Sequence, residues 1–584
     1  MDEVCGILDR QSGDQAEPTA TKKEKGENLA RAGLELNSDT IRIVPLGGLG
    51  EIGMNCLAIE QRDGIVVIDC GIGFSENDLG IDVIHPDFDW IFERASRVHG
   101  VFLTHGHEDH IGGLPYLLGE LDVPVWGPPH ALGLVRRRLA EHDFSPGDVE
   151  LREAVAGRTY EVGPFAIEPV RVAHSIVEAS ALHLTTAAGA IVHTGDFNMD
   201  PDPPDGEPTD EARLAALGDA GVSLILSDST NVDVAERPGS ERGVAAAVER
   251  IVERATGRVV IALFASNVQR LITFGEMAVR LGRKLCLLGR SLEAHAGVAR
   301  DIRRVRWPSD LVVSPDQAKK LPRDQLIVLA GGTQAEHGSS MRRLSLGSHP
   351  ELKLEPGDTA IFSSRAIPGN ERVVFGMMND LLRLGVVVHS RATDPEIHTS
   401  GHPGRTELEH MLALVRPRCF LPLHGTLHHL QRHAELASRL GIERTTVVEN
   451  GTPVLCDGHT LVRETPVRHG KVMVAKGGET LSDEALRGRA ELGRSGIVVV
   501  ALGVEPARSE PNSVRVVARG VPAVTGSESA VRKLELEALR AVSSFREGRG
   551  VSIEEFVRRA IRRAVEDLSG TRPVVEVSIL VAVP

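Results

Sequence analysis

Aromatic residues make up only 3% of the 584 residues, with two tyrosines and three tryptophans, so the interior has to be built from valine, leucine, isoleucine and alanine. Cysteine is scarce too. The six (Cys5, Cys56, Cys70, Cys286, Cys419, Cys456) are scattered without a CxxC pair, and several sit in apolar strand-like runs such as Val66-Val67-Ile68-Asp69-Cys70, so buried, reduced thiols are expected. No stretch approaches the roughly 18 to 20 uninterrupted apolar residues of a membrane span, and the N-terminus lacks the basic-then-apolar layout of a secretory leader. A cytoplasmic protein without membrane association is expected. Positive charge is also short: a net charge of −15 argues against coating nucleic acid by bulk attraction, so any polyanion site has to be local. What remains, 41% hydrophobic and 25% charged residues, suits a globular α/β protein of two to four domains at about 100 to 200 residues each.

Residues 1–39 are polar and rich in Glu, Lys, Asp and Gly, which predicts a disordered tail. From Ile41 onward, β-branched runs punctuated by glycine read as buried strands: Ile41-Arg42-Ile43-Val44, Ile65-Val66-Val67-Ile68, Gly100-Val101-Phe102-Leu103, Ala190-Ile191-Val192, Leu224-Ile225-Leu226 and Val259-Val260-Ile261. Helical stretches at 242–255 and 268–282 lie among them, which predicts layered α/β architecture. Leu46-Gly47-Gly48-Leu49-Gly50-Glu51-Ile52-Gly53 fits neither a dinucleotide nor a Walker phosphate loop, and predicts a tight turn near the active site instead.

The densest signal is Thr104-His105-Gly106-His107-Glu108-Asp109-His110, four metal-ligand side chains within six residues at the end of an apolar strand. One loop cannot complete two metal sites, since each zinc wants three or four ligands at short range. Matching residues stand at later strand ends: His174, Asp196 and His424. Two such ions about 3.5 to 4 Å apart can acidify a water, hold a phosphate oxygen and offset charge in a phosphodiester transition state.

In order along the chain, Thr-His-Gly-His-Glu-Asp-His-Ile-Gly-Gly, His174-Ser175, Thr194-Gly195-Asp196-Phe197, Ser227-Asp228-Ser229-Thr230, Phe264-Ala265-Ser266-Asn267, Ser400-Gly401-His402 and Leu423-His424-Gly425 resemble the β-CASP branch of the metallo-β-lactamase superfamily. Within it they are most similar to the bacterial ribonuclease J family. Ser363-Ser364-Arg365-Ala366-Ile367-Pro368-Gly369-Asn370-Glu371 and Gly570-Thr571-Arg572-Pro573 extend the likeness over residues 41 to 584.

The resemblance implies an αββα metallo-β-lactamase sandwich with an inserted β-CASP α/β domain and a small α+β C-terminal domain. It implies a sandwich over 40–230 and 389–456, the insertion over 231–388, a linker over 457–474 and the C-terminal domain over 475–584. It implies that His105, His107 and His174 bind one Zn2+, that Asp109, His110 and His424 bind another, and that Asp196 bridges them, with Mn2+ as a substitute. Asp109 and Asp196 thereby enter the catalytic set with Asp228, which holds His402, the expected proton donor to the leaving oxygen. Ser364, His398, Ser400, Gly401 and His402 are implied to contact the RNA, the first four forming a pocket for a 5′-monophosphate. The implied activity is metal-dependent hydrolysis of single-stranded RNA, 5′-to-3′ from monophosphorylated ends and also internally, in rRNA processing and mRNA decay. A homodimer or homotetramer and membership of an RNA-degradation complex are expected with it.

Other readings stay open at this point: a β-CASP DNA nuclease, a catalytically silent RNA-binding subunit, or a small-molecule hydrolase on the same scaffold. Arg136-Arg137-Arg138, Arg303-Arg304-Val305-Arg306, Lys319-Lys320 and Arg342-Arg343 suit either a nucleic-acid channel or solvated helix faces. Three places depart from the family pattern: Val177-Glu178 in place of a Pro-Asp pair, the loop Gly331-Gly332-Thr333-Gln334-Ala335-Glu336-His337, and Thr426 in place of Glu. None is a ligand position.

Overall fold

The computed structural model describes residues 36–73, 79–236, 239–367, 369–504, 513–545 and 551–581. The expected tail lies outside them except for its last four residues. The described residues form two compact units, one within 36–73 and 85–471, the other within 79–84 and 472–581.

In the larger unit, two sheets pack face to face. The first runs, in spatial order, through 461–463, 454–456, 41–47, 56–61, 64–68, 98–102, 125–127 and 151–153; the second through 444–445, 419–423, 224–228, 189–193, 180–186, 165–171 and 160–162. Alternation along the strands explains why their sequences read as continuous apolar runs. Val66 and Ile68 point into the layer between the sheets, while Ile65 and Val67 point outward to Leu114, Leu117, Leu132 and Val135 of covering helices. In the second sheet, Leu224 and Leu226 face the shared layer, and Ile225 faces Leu214, Met411 and Ala437. Central strands such as 64–68 and 224–228 are thus buried on both sides, which demands β-branched and aliphatic residues without polar alternation. Each fully buried aliphatic side chain contributes roughly 1.5–3 kcal/mol. The result is an αββα sandwich.

Between the strands 224–228 and 419–423 the chain makes a separate parallel sheet, ordered 284–288, 326–330, 259–262, 359–362, 387–389. Ile261 and Ile327 bury against the helices Val268–Arg280 and Arg290–Asp301, and Val260 and Val328 against Met341 and Met377 on the other face. The helices expected at 242–255 and 268–282 are Glu241–Arg254 and Val268–Arg280. Asn267 starts the second by accepting a bond from the Arg270 amide at 3.0 Å.

Residues 457–474, expected as a linker, are more structured than that. Leu461–Arg463 pairs antiparallel with Val454–Cys456 and extends the first sheet, because Leu461 packs into the layer between the sheets. The smaller unit has its own core: strands Ile497–Val504, Ser513–Arg519 and Val574–Val581 pack Val498, Val500 and Val575 against Leu534, Ala538, Val557 and Ile561 of two helices, Glu528–Ser544 and Ile553–Ser569. Among the described residues no helix is long and apolar enough to cross a membrane. Five cysteines, all but Cys5, are described, and all five are buried and unpaired.

Candidate metal centre

Every candidate ligand emerges where a sandwich strand ends. Val98–Phe102 delivers His105, and the chain then turns into the short helix Glu108–Ile111, which carries Asp109 and His110. His174 follows Phe165–Arg171, Asp196 follows Gly189–His193, and His424 follows Cys419–Leu423. Because the strand 224–228 lies parallel to 189–193 and 419–423, with Asp228 beside Leu423, the ends converge from segments far apart in sequence.

Among the described residues three overlapping donor groups result: the two expected ones, His105, His107, His174 and Asp196, and Asp109, His110, His424 and Asp196, and a third that joins Asp196, Asp228, His402 and His424. The Oδ2 of Asp196 lies 3.2 Å from His110 Nε2 and 3.9 Å from the Nε2 atoms of His105, His174 and His424. In the first group, His107 Nδ1 approaches His105 Nε2 to 3.1 Å and His174 Nε2 to 3.2 Å. In the second, Asp109 Oδ2 lies 3.4 Å from His424 Nε2.

The far sides of the rings show what the near sides present. His174 Nδ1 is 2.8 Å from the Gly401 carbonyl, which can only accept, so the ring proton is on Nδ1 and Nε2 turns a lone pair inward. His110 Nδ1 likewise meets the Asp69 carboxylate at 2.8 Å, leaving its Nε2 lone pair facing that of Asp196. His424 Nδ1 donates at 2.6 Å to Thr230 Oγ1, whose own proton goes to Asp228 at 2.7 Å. Inward lone pairs opposite carboxylate oxygens, in a buried cluster, are a donor set made for a divalent cation. His107 Nε2 is buried and without a hydrogen-bond partner among the described residues.

Electrostatics differ across the cluster. Burial holds His105 and His107 well below the ordinary imidazole range, reinforced by their neighbouring imidazoles, and holds His174 down at about 4. Burial opposes but does not prevent the rise of His110 and His424 well above that range, caused chiefly by Asp196, so the inward Nε2 of each holds a proton until a cation displaces it and frees the lone pair. Against burial, His424, His110 and His402 keep Asp196 far below the usual carboxylate range. His402 Nδ1 sits 2.8 Å from Asp228, and although burial opposes it, Asp228 and Asp196 raise the imidazole.

The structure therefore brings all seven predicted ligands together and joins His402 to Asp228. The predicted phosphate pocket is less uniform. The Ser363 hydroxyl donates to the Ile397 carbonyl at 2.7 Å, which puts Ser364 and His398 on adjacent segments. Ser400 accepts from Asn231 at 2.8 Å, while the Gly401 carbonyl is taken by His174 and Asn198. The glycine-rich turn does lie beside the cluster: Gly47, Leu49 and Asn55 line a cavity with His110, Asp196 and His424, and Gly53, at φ +82°, passes close to Asp109.

Sequence reasoning missed Asp69, Thr230 and Asn55. Asp69 accepts from the Thr104 amide and hydroxyl, both at 2.8 Å, as well as from His110, and Asn55 donates to the Asp109 carbonyl at 3.2 Å. A usable signal for Asp69 was an acidic residue directly after a buried strand whose parallel neighbour, Val98–Phe102, runs on into Thr104. Several of the basic clusters are spoken for locally: Arg138 pairs with Glu108, Arg304 with Glu178 and Glu207, Lys319 with Asp316 and Glu351, and Arg342 with Asp380.

Four family descriptions match the chain: Metallo-beta-lactamase superfamily over residues 49–261, Ribonuclease J, beta-CASP domain over 256–381, Zn-dependent metallo-hydrolase RNA specificity domain over 395–447, and Ribonuclease J C-terminal domain over 484–582. The ribonuclease J of Thermus thermophilus is 37% identical over 86% of this chain and 88% of its own length, and that of Mycobacterium tuberculosis is 35% identical over 93% and 98%. The Helicobacter pylori ribonuclease J is 34% identical over 81% and 69%. A crystal structure of an Enterococcus faecalis protein of unknown function shares the fold, with 17% identity, a TM-score of 0.50, and coverage of 74% of this chain and all of that one. Sandwich, insertion, metal-binding cluster and sequence kinship over nearly the whole chain agree: the protein belongs to the ribonuclease J family of β-CASP metallo-β-lactamase proteins.

Proposed function

We propose that the protein is a zinc-dependent ribonuclease that hydrolyses RNA phosphodiester bonds, 5′-to-3′ from monophosphorylated ends and also internally, in RNA maturation and decay. The observation that carries this reading is Asp196 Oδ2, within 3.9 Å of four inward-facing imidazole nitrogens between the two donor groups. RNA rather than DNA is supported by the relatives' names and by the RNA specificity match over 395–447, which contains His398, His402 and His424.

His105, His107 and His174 would hold one Zn2+, and Asp109, His110 and His424 a second, with Asp196 shared and Mn2+ as a substitute. Bound there, the ions would supply an acidified water and positive charge against the phosphate. The chain's own part is to orient the ring nitrogens through Asp69, Gly401 and Thr230 and to move a proton. With Nδ1 bound to Asp228, His402 keeps its second N–H free, and the Asp228 and Asp196 charges favour the imidazolium that protonates the departing sugar oxygen. Ser364, His398, Ser400 and Gly401 form the site for a 5′-terminal phosphate in this reading. Residues 40–230 and 389–456 serve as the catalytic domain, 231–388 as the β-CASP domain capping it, and 475–584 as a domain for self-association into a homodimer or homotetramer, within a cytoplasmic RNA-degradation complex.

The test is zinc content per chain together with turnover of one sequence as 5′-monophosphate RNA, 5′-hydroxyl RNA and DNA. Two zinc ions, RNA turnover and loss of activity in His107→Ala are expected. Full activity in His107→Ala sinks the mechanism, and preference for DNA sinks the substrate.

A further inference from the structure

Arg270, in the first turn of the helix Val268–Arg280, heads the largest fully buried side chains, and its guanidinium is fully engaged. Nε and Nη2 grip Glu241 at 3.0 and 2.5 Å, and Nη2 also reaches the Thr399 carbonyl at 3.3 Å. Nη1 donates to the Ser363 carbonyl at 2.6 Å and to His398 Nδ1 at 3.1 Å. A guanidinium has five donors, no acceptor, and stays charged. The His398 nitrogen facing it therefore presents a lone pair, and the ring's proton is on Nε2.

Burial and the charges of Arg270, Arg391 and Arg365 keep His398 well below the ordinary imidazole range, in keeping with a neutral ring. Arg365 directly follows Ser364. Both Arg365 and Arg391 are exposed, and neither forms an ion pair among the described residues. Ser363, on the other side of Ser364, bonds the Ile397 carbonyl beside His398, so an anion there meets positive charge that no described carboxylate neutralises.

We propose that Arg270 is a positioning residue that fixes His398 as a neutral Nε2–H donor, and that a terminal phosphate monoester of RNA is read by this donor together with the charges of Arg365 and Arg391. This rests on the reading of Ser364, His398, Ser400 and Gly401 as the 5′-phosphate site. It assigns hydrogen-bond direction to His398 and electrostatic attraction to the two arginines, so recognition does not fade as pH passes through the imidazole range.

The test is the ratio of kcat/KM for 5′-monophosphate over 5′-hydroxyl RNA of one sequence, measured with the zinc-loaded enzyme from pH 7 to 8.5. In the wild type the ratio is expected to stay within about twofold, whereas an imidazolium reader would lose it steadily. Arg365→Ala with Arg391→Ala should lower it about tenfold, the loss of charge-assisted contacts. His398→Ala should lower it by a similar factor, and His398→Gln, whose amide N–H stands near the place of Nε2–H, should retain most of it. Replacing the buried pair together, Arg270→Met with Glu241→Leu, should make the ratio fall with rising pH by freeing the imidazole to titrate. If that double variant fails to fold, the two His398 variants and the arginine pair still decide. A wild-type ratio near one overturns the phosphate-site reading itself. A high wild-type ratio that declines with pH, or that His398→Gln loses as fully as His398→Ala, overturns this inference alone.

Discussion

His105, His107 and His174 offer three imidazoles around one shared carboxylate, whereas Asp109, His110 and His424 add a second carboxylate and stand in front of two more, Asp69 and Asp228. Apart from half-buried His107 and Asp109, both groups are buried, so water does little to screen this contrast. The first group is a set of neutral nitrogens, of which His174 is held from behind by a backbone carbonyl, Gly401; the second is a charged site whose rings are backed by carboxylates, Asp69 directly and Asp228 through Thr230. The difference suggests that the second group holds a divalent cation more tightly, and that the first governs how easily the complete centre is assembled.

The sharpest way to break the comparison is to remove what the groups share. Asp196→Asn is expected to lower metal content below one ion per chain and turnover by roughly 10^4-fold, since several kcal/mol of transition-state stabilisation depends on the ions it joins. Metal analysis and single-turnover cleavage read this directly, and near-normal metal content would contradict a bridging role. Separating the groups comes next: Asp109→Asn should cost more than His107→Ala, each on the order of 10^2- to 10^3-fold in turnover, because a lost charge in low dielectric outweighs a lost neutral ligand. His107→Ala should retain about one tightly held ion against a chelator series. The reverse ranking would mean that the carboxylate count does not set affinity.

Smaller effects sharpen the idea that the second group is pinned from behind. Asp69→Asn and Thr230→Val leave all ligands in place yet loosen His110 and His424, and each should weaken metal retention by about 10- to 100-fold. Competition with a metallochromic chelator measures this.

The effect with the least bearing on turnover concerns histidines buried away from the metal centre. His130 and His295 stack at 5.8 Å between the helices 129–141 and 290–301, with Arg137, Arg304 and Glu178 nearby, and burial pushes them down to about 3 and about 4. The unfolded chain therefore binds protons before the folded one, so stability is intact above the ordinary imidazole value and declines as pH falls below about 6.5, by at most about 1.4 kcal/mol per unit per group. His130→Leu with His295→Leu should flatten the loss of thermal midpoint between pH 7.5 and 5. An unchanged slope would place acid sensitivity elsewhere.

The ligands were legible because a metal loop concentrates four donors in six residues and the distant ligands sit at recognisable strand ends. Asp69 was not, because it is one polar residue at the end of an apolar strand and its meaning comes from the neighbouring strand's register; Thr230 stood in a legible polar run, but only folding sets it against His424, 194 positions away. Arg270 reads in the sequence as a helix residue after an Asn cap; only folding buries it against Glu241 and His398, 29 and 128 positions away. The αββα layering followed from runs buried on both faces. The extra strand at 461–463 did not, because three residues carry too little periodicity to separate a strand from a connection.

The placement of the ligands at strand ends from His105 to His424, with an entire parallel-sheet domain threaded between, has a consequence during synthesis. While the chain is being translated, the centre lacks His402 and His424 until the whole parallel-sheet domain that precedes them has left the ribosome. A nuclease that attacks RNA is thus born beside a large RNA machine with its cutting edge still in pieces, and the sheath comes off only once synthesis is well advanced.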